Sequence, residues 1–312
     1  MQTLFILSSL IGGTVLAFQA GANAQLSKAM GNPYSATAVQ LAVGAGLLLA
    51  ATVLTDSLSA LGRLSGAPWW HAIGGLASAL YVLSTIVLFP RIGAIVTVGL
   101  LIAGQMLMSL ILDGFGWLGV PRQEPDIGTL LGTVSVLAGV AAIMAGQSGK
   151  DAAQGLSGKP GLAAFALLSG ALLPVQGAIN ALLRADLQAS FAVGFVSFAV
   201  ATMAMAAVLT LRLILSAASA PVSASNAGGF RSLPWWGWLG GVAGSVYVTV
   251  VFTSIPAIGA SAVIALTVAG QQAASIVVDR FGLLRFPKRE ISRIRLAGVA
   301  ALLAGVALIK LF

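Results

Sequence analysis

The chain has 312 residues, of which 58% are apolar and only 8% carry a charge. A soluble domain carries about 25% charged residues, so this chain cannot cover a water-facing surface of its size. The composition predicts an all-α integral membrane protein with several spans, and it excludes soluble enzymes and nucleic-acid-binding proteins.

The net charge of +8 comes from 16 Lys and Arg residues that mostly lie in short gaps between apolar runs. Positive charge held on the cytoplasmic side of a membrane explains this balance without a nucleic-acid partner. Cysteine is absent and His71 is the single histidine, so we expect no metal site, no cofactor and no Ser-His-Asp triad. His71 opens an apolar run and is interpreted as an interfacial anchor.

Ten apolar runs are long enough to cross a bilayer core, which needs about 20 residues per helix. The first run ends in Ala22-Asn23-Ala24, which is similar to a signal-peptidase site, but no basic residue precedes it and the segment recurs later in the chain. We therefore interpret it as a retained span. The ten predicted spans cover 4–27, 36–55, 69–89, 92–112, 127–146, 162–183, 191–215, 235–255, 258–278 and 294–311.

The second five runs repeat the first, so the chain carries two copies of a five-span unit. Gln19 to Ala24 aligns with Gln176 to Ala181 at an offset of 157, and the later segments align at an offset of 166. The offset changes across a loop around 216–232, where an insertion costs little. We place the first repeat at 1–147, a linker at 148–161 and the second repeat at 162–312. The later matches pair Pro68-Trp69-Trp70 with Pro234-Trp235-Trp236, Pro90 with Pro256, Gly104-Gln105 with Gly270-Gln271, Asp113 with Asp279 and Glu124 with Glu290.

An odd number of spans per copy places the two copies in opposite senses across the membrane, as an inverted repeat. With both termini outside, four Lys and Arg residues lie outside and twelve inside. Basic residues favour the cytoplasmic side, so this ratio predicts a multi-pass protein of the inner membrane with both termini in the periplasm.

The polar groups inside the predicted spans are amides. Gln19 and Asn23 are four residues apart and share a helix face, and Gln176 and Asn180 repeat the pattern. Gln105 and Gln271 fall near the middle of the fourth and ninth spans, and Tyr81 and Tyr247 add hydroxyl groups. Such groups offer donors and acceptors without net charge, which suits a neutral or zwitterionic solute. The alternative is that these amides only join helices.

Asp113 and Asp279 end their spans close to a glycine, Gly116 and Gly282 at equivalent positions. Two interpretations stay open for this pair: solvated turn residues, or proton-coupling groups at opposite mouths of a pathway. No paired carboxylates, metal cluster or nucleophile–base pair falls within a predicted span, so we do not expect an enzyme.

With these motifs in place, the chain resembles the drug/metabolite transporter superfamily, and within it the YdcZ-type inner-membrane exporters. The resemblance rests on the two Gln-x-x-x-Asn motifs, Pro90-x-Ile92-Gly93-Ala94, Gly104-Gln105, the Asp113-x-Phe115-Gly116 turn and the last spans of each copy with Gly132 and Gly298. It covers nearly the whole chain and implies a bacterial cytoplasmic-membrane transporter with a central cavity. Many family members carry one copy, whereas this chain resembles a fused pair that acts as an internal pseudo-dimer and allows a monomer.

The function expected from these features is secondary transport, in the export direction, of a small polar metabolite or drug by alternating access. The predicted binding residues are Gln19, Asn23, Gln105, Gln176, Asn180, Gln271, Tyr81 and Tyr247, around a site at mid-membrane. The alternative from another class is a membrane scaffold or lipid-handling protein that transports nothing.

Overall fold

The computed structural model describes residues 2–124, 126–148, 159–217, 231, 233–285, 288 and 292–311. Within these residues the chain folds into ten long α-helices, which confirms the predicted all-α class. Nine of those helices are long and apolar enough to cross a membrane. The helices are α1 (Gln2–Met30), α2 (Pro33–Leu54), α3 (Gly75–Ile92), α4 (Ala94–Phe115), α5 (Ile127–Ser148), α6 (Pro160–Leu187), α7 (Ser190–Ala217), α8 (Gly240–Ile258), α9 (Ala260–Phe281) and α10 (Arg293–Leu311).

The helix ends differ from the predicted spans in a way that recurs in both repeats. The third and eighth spans begin as 3₁₀ helices, Trp69–Gly74 and Trp235–Leu239, which lead into α3 and α8. Both helices then continue beyond the ends of the predicted spans 69–89 and 235–255, through Pro90 and Pro256. They end before Gly93 and Gly259, whose φ angles of 82° and 83° stop the helix. The predicted linker at 148–161 and the loop around 216–232 lie largely outside the described residues.

Helices α5 and α10 cross in close contact through four glycines. A Cβ atom on Gly132 or Gly139 would lie 2.6 or 2.5 Å from the carbonyl oxygen of Gly305 or Gly298. Residue numbers rise along one helix as they fall along the other, so the two helices are antiparallel. The repeat offset maps Gly132 onto Gly298 and Gly139 onto Gly305. The contact of Gly132 with Gly305 is therefore equivalent to the contact of Gly298 with Gly139.

The remaining helices pack with the same two-fold pattern. Added Cβ atoms on Gly13 and Gly170 would overlap the backbone of Thr267 and Leu101, which are equivalent positions of α9 and α4. Likewise Gly75 of α3 lies against Ser197 of α7. In the other copy Gly241 of α8 lies against Gln40 of α2, the position equivalent to Ser197. Small residues let membrane helices approach closely, so these pairs hold the inverted repeats together.

The start of α1 and the end of α10 lie on one face of the helix bundle, where Gln2 and Ile309 line the same pocket. We call this the terminal face. The Asp113 carboxylate at the end of α4 contacts the start of α9 in this region. On the opposite face, Gly21 near the end of α1 contacts Leu284, which follows α9. The ends of α4 and α9 therefore lie on opposite faces.

Candidate functional site

The two amide pairs lie towards opposite faces of the membrane bundle. Asn23 contacts Gly240, the first residue of α8, and Asn180 contacts Gly74, just before α3. Gly119, which follows α4, contacts Leu182 near the end of α6, so the Asn180 pair belongs to the terminal face. Helices of 22 residues separate the faces, a length of about 33 Å. The structure thus does not bring the four amides into one mid-membrane cluster.

The pair near the terminal face is enclosed by serines from neighbouring helices. The Ser78 hydroxyl donates to Gln176 Oε1 at 2.7 Å, and Gln176 Nε2 donates to Ser197 Oγ at 3.3 Å. Asn180 Nδ2 donates to the same Ser197 oxygen at 3.1 Å. Gln176 and Asn180 are 2% and 0% exposed. These bonds tie α6 to α3 and α7, so in this arrangement the pair joins helices.

The pair near the opposite face lacks the equivalent serines. Gly244 stands where Ser78 stands in the other copy, and Gln40 stands where Ser197 stands. Gln19 and Asn23 are only half-buried. Their amide oxygens, Oε1 and Oδ1, are nevertheless buried and have no hydrogen-bond partner within the described residues. In the other copy the equivalent Gln176 Oε1 accepts from Ser78, whereas Asn180 Oδ1 also lacks a partner within the described residues. The two copies therefore differ at the glutamine oxygen and in the burial of the pair.

Four further predicted residues lie between these levels. Gln105 and Gln271 occur half-way along α4 and α9; Gln105 is buried and Gln271 half-buried. Tyr81 and Tyr247, from equivalent positions of α3 and α8, lie within range of an electrostatic interaction with each other. The eight predicted residues are therefore distributed through the depth of the bundle, with the tyrosines and glutamines between the two amide pairs.

Asp113 is buried, with 4% of its surface exposed, and it is not a solvated turn residue. Its two carboxylate oxygens accept hydrogen bonds of 2.7 Å from the backbone N–H groups of Ala260 and Ser261. These are free donors in the first turn of α9, where a negative charge is stabilised by the helix dipole. The Asp113 side chain therefore links the first repeat to the second.

Asp279 makes a different contact from its equivalent. It accepts from Arg295 Nη2 at 2.6 Å, and the arginine is only 1% exposed. Arg295 falls within the predicted span 294–311, and it lies in the first turn of α10 with its side chain inside the protein. Only the tight approach of the end of α9 to the start of α10 makes this pair, and spacing along the chain does not predict it.

His71 also departs from its interpretation as an interfacial anchor. It is buried, and its Nδ1 lies 2.5 Å from Asp186 Oδ2 at the end of α6. The equivalent positions in the other copy are Gly237 and Ala29, so this contact has no counterpart there. Trp69 and Trp235 are each 76% exposed, as is usual for tryptophans at a membrane interface.

The helices and their contacts define a class of protein: a multi-pass membrane protein with an inverted repeat and uncharged polar side chains through its depth. Broken or repeated helices of this kind are the framework of many secondary transporters. Within the described residues, no group of three or more His, Asp or Glu side chains gathers into a possible metal site.

Comparison with known families identifies the family of the chain. Residues 4–142 and 161–308 each match the family described as "Putative inner membrane exporter, YdcZ". The chain belongs to this family, carries two copies of its unit, and is a multi-pass protein of the inner membrane.

Two individual proteins are similar to the chain. The inner membrane protein YdcZ of Escherichia coli K12 is 30% identical over 97 residues, which is 30% of this chain and 64% of that protein. The match thus spans less than two thirds of the length of YdcZ. A crystal structure at 19% identity superimposes with a TM-score of 0.62 and covers 99% of this chain and 96% of the other. At that identity the likeness concerns the fold alone.

Proposed function

We propose that this protein exports a small polar solute, neutral or zwitterionic, by alternating access between its two inverted repeats. Family membership supports the exporter class. The polar groups at the level of the amide pairs and tyrosines carry no charge, which favours a solute that needs hydrogen bonds more than a counter-charge.

The contrast between the two amide pairs is the observation that carries this proposal. Gln176 and Asn180 are buried and hydrogen-bond to Ser78 and Ser197, with Asn180 Oδ1 left without a partner within the described residues. Gln19 and Asn23 are half-buried, and both of their amide oxygens lack a partner there. Equivalent pairs in unequal states are what alternating access requires, since one mouth is closed while the other is available. The solute would meet Gln19 and Asn23 first, pass Tyr81, Tyr247, Gln105 and Gln271, and leave past Gln176 and Asn180.

The charge distribution supports the proposed direction of transport. Twelve of the 16 basic residues fall on the side that we assign to the cytoplasm, and the Gln19–Asn23 pair belongs to that side. An available pair facing the cytoplasm suits the loading step of an exporter. Both repeats lie in one chain, so a monomer is sufficient, and Asp113 and Asp279 are the proposed groups for proton coupling.

Replacing Asn23 and Asn180 together by Ala should abolish solute binding, because each change removes the amide that faces a helix start. We would screen amino acids, nucleosides and sugars by thermal unfolding of the purified chain in nanodiscs. A ligand at 100 times its Kd stabilises the native state by about 2.7 kcal/mol, so a hit raises the unfolding midpoint.

The control for this experiment is Asn32→Ser, which removes an amide outside the pathway but keeps a side chain that can cap α2. The hit should persist in that variant and disappear in the double variant. A hit that survives in the double variant would contradict the assignment of the site. No hit from any class, with both proteins folded, would favour a scaffold or lipid-handling role.

A further inference from the structure

A polar pocket opens on the terminal face, away from the amide pairs. It has a volume of about 300 Å³, and its polar lining comes from Gln2, Asp113, Gln123, Glu124, Thr129 and Ser261. Four different helices and one loop therefore contribute to its polar lining. Among the described residues that line the pocket there are two carboxylates and no Lys or Arg, so these residues give it a negative potential.

The second repeat shows what fills the equivalent space. Thr129 and Arg295 are equivalent in sequence, and they are equivalent in structure as well. The Thr129 N–H donates to the Asp126 side chain that caps α5, and the Arg295 N–H donates to the Ser292 side chain that caps α10. From this shared position Arg295 reaches Asp279 at 2.6 Å, whereas Thr129 is too short to occupy the space beside Asp113.

The two repeats can thus be compared directly at the aspartate that ends α4 or α9. In one copy a buried guanidinium group lies against the aspartate at the end of the helix. In the other copy the same aspartate is present, the arginine is replaced by threonine, and a pocket lies beside it. The pocket-lining residues Gln2 and Ala257 likewise correspond in sequence to basic residues of the other copy, Lys159 and Arg91.

The pocket also keeps polar capacity that the protein does not use. Ser261 is 3% exposed and its Oγ lies beside the Asp113 carboxylate, yet it makes no hydrogen bond of acceptable geometry within the described residues. Each Asp113 oxygen accepts one backbone N–H group and has a second lone pair. Glu124 at the rim is only loosely paired, at 3.4 Å, with an exposed Arg122.

We propose that this pocket binds the ammonium or guanidinium group of a small organic cation. A guanidinium or ammonium group would lie beside Asp113, in the space equivalent to the one that the Arg295 side chain fills beside Asp279. It would donate to the free lone pairs of Asp113 and to Ser261 Oγ, and Glu124 would supply the second negative charge at the mouth. Charge-assisted hydrogen bonds of this kind are about twice as strong as neutral ones. This inference goes beyond the proposed export, since binding at the pocket requires no transport.

The test is calorimetric titration of the full chain in nanodiscs with methylguanidinium and ethylammonium, and with methylurea as an uncharged probe of the same shape. The wild-type protein should bind both cations and bind methylurea at least tenfold more weakly. Thr129→Arg copies the second repeat and fills the pocket from within. It should weaken cation binding at least tenfold while the unfolding midpoint stays the same or rises.

Thr133→Val is the matched control, because Thr133 lies one turn further along α5 and is not among the residues that line the pocket. Its Kd for the cations should equal that of the wild-type protein. If Thr129→Arg is unstable, Glu124→Gln replaces it and should weaken binding at least threefold. Equal binding of methylurea and methylguanidinium overturns the proposal, and so does unchanged cation binding in the folded Thr129→Arg protein or in Glu124→Gln.

Discussion

At the residue scale, equivalent side chains of the two repeats make different contacts. The sequence identifies the Gln-x-x-x-Asn pairs, since their spacing places both amides on one helix face. It does not identify their partners, because Ser78 and Ser197 come from helices far along the chain from Gln176. Whether an amide is bonded or available is therefore a tertiary property, and only the packed helices settle it.

Arg295 illustrates a stability prediction at this scale. Arg295→Met leaves the Asp279 carboxylate without its guanidinium partner inside the protein. Removing one member of a buried ion pair costs about 3–5 kcal/mol, so the unfolding midpoint should fall strongly. Thermal unfolding of the purified variant in detergent measures the effect.

The control is Arg122→Met, which breaks an ion pair with Glu124 whose side chains are 68% and 84% exposed. Exposed pairs contribute little, so this variant should unfold close to the wild-type midpoint. Similar losses in both variants would show that Arg295 stabilises the protein by its position in the helix and not by its pairing.

At the scale of helices, composition and hydropathy predict the elements well and their ends less well. All ten predicted spans correspond to helices, because the length of apolar sequence is set by the thickness of the bilayer. The predicted spans for α3 and α8 end before Pro90 and Pro256, whereas the helices run to Ile92 and Ile258. A proline near a helix end loses one hydrogen bond that neighbouring groups can replace in a membrane helix, whereas glycine at positive φ changes the chain direction.

The crossing of α5 and α10 yields a prediction for this scale. In Gly139→Ala the new Cβ would meet the carbonyl oxygen of Gly298 at 2.5 Å, so the helices must separate. Overpacking of this kind costs about 1–3 kcal/mol, and the unfolding midpoint should fall.

Gly46→Ala is the matched control on α2, because a Cβ there meets nothing within 4 Å. It should be neutral or stabilise the helix by up to about 1 kcal/mol. If Gly139→Ala unfolds at the wild-type midpoint, the close approach of α5 and α10 does not contribute to stability.

At the scale of the whole molecule, the inverted repeat could be predicted from the sequence, and the depth of the polar residues could not. The repeat follows from an odd number of spans per copy, and the antiparallel glycine contacts agree with it. The predicted single site at mid-membrane assumed that the motifs in the second halves of α1 and α6 meet. Inverted helices instead carry their equivalent ends to opposite faces, which separates Asn23 from Asn180.

The orientation of the protein can be tested with a pair of equivalent residues. Arg122 and Lys288 are exposed, and the chain has no cysteine, so single cysteines at these positions are unique. With both termini in the periplasm, Arg122→Cys should react with a membrane-impermeant maleimide in intact cells. Lys288→Cys should react only after the cells are permeabilised. The reverse pattern would invert the assignment, and labelling of both in intact cells would contradict the inverted repeat.

The contact between α5 and α10 has a consequence for the history of the chain. The two glycine contacts there are equivalent to each other under the repeat. Two separate single-copy subunits inserted in opposite senses would therefore present the same complementary surface to one another. Such an ancestor would have to carry identical residues on both sides of the membrane. Joining the copies in one gene removes that constraint. One copy can then carry Thr129 where the other carries Arg295, or Ser78 where the other carries Gly244, so the two mouths can differ.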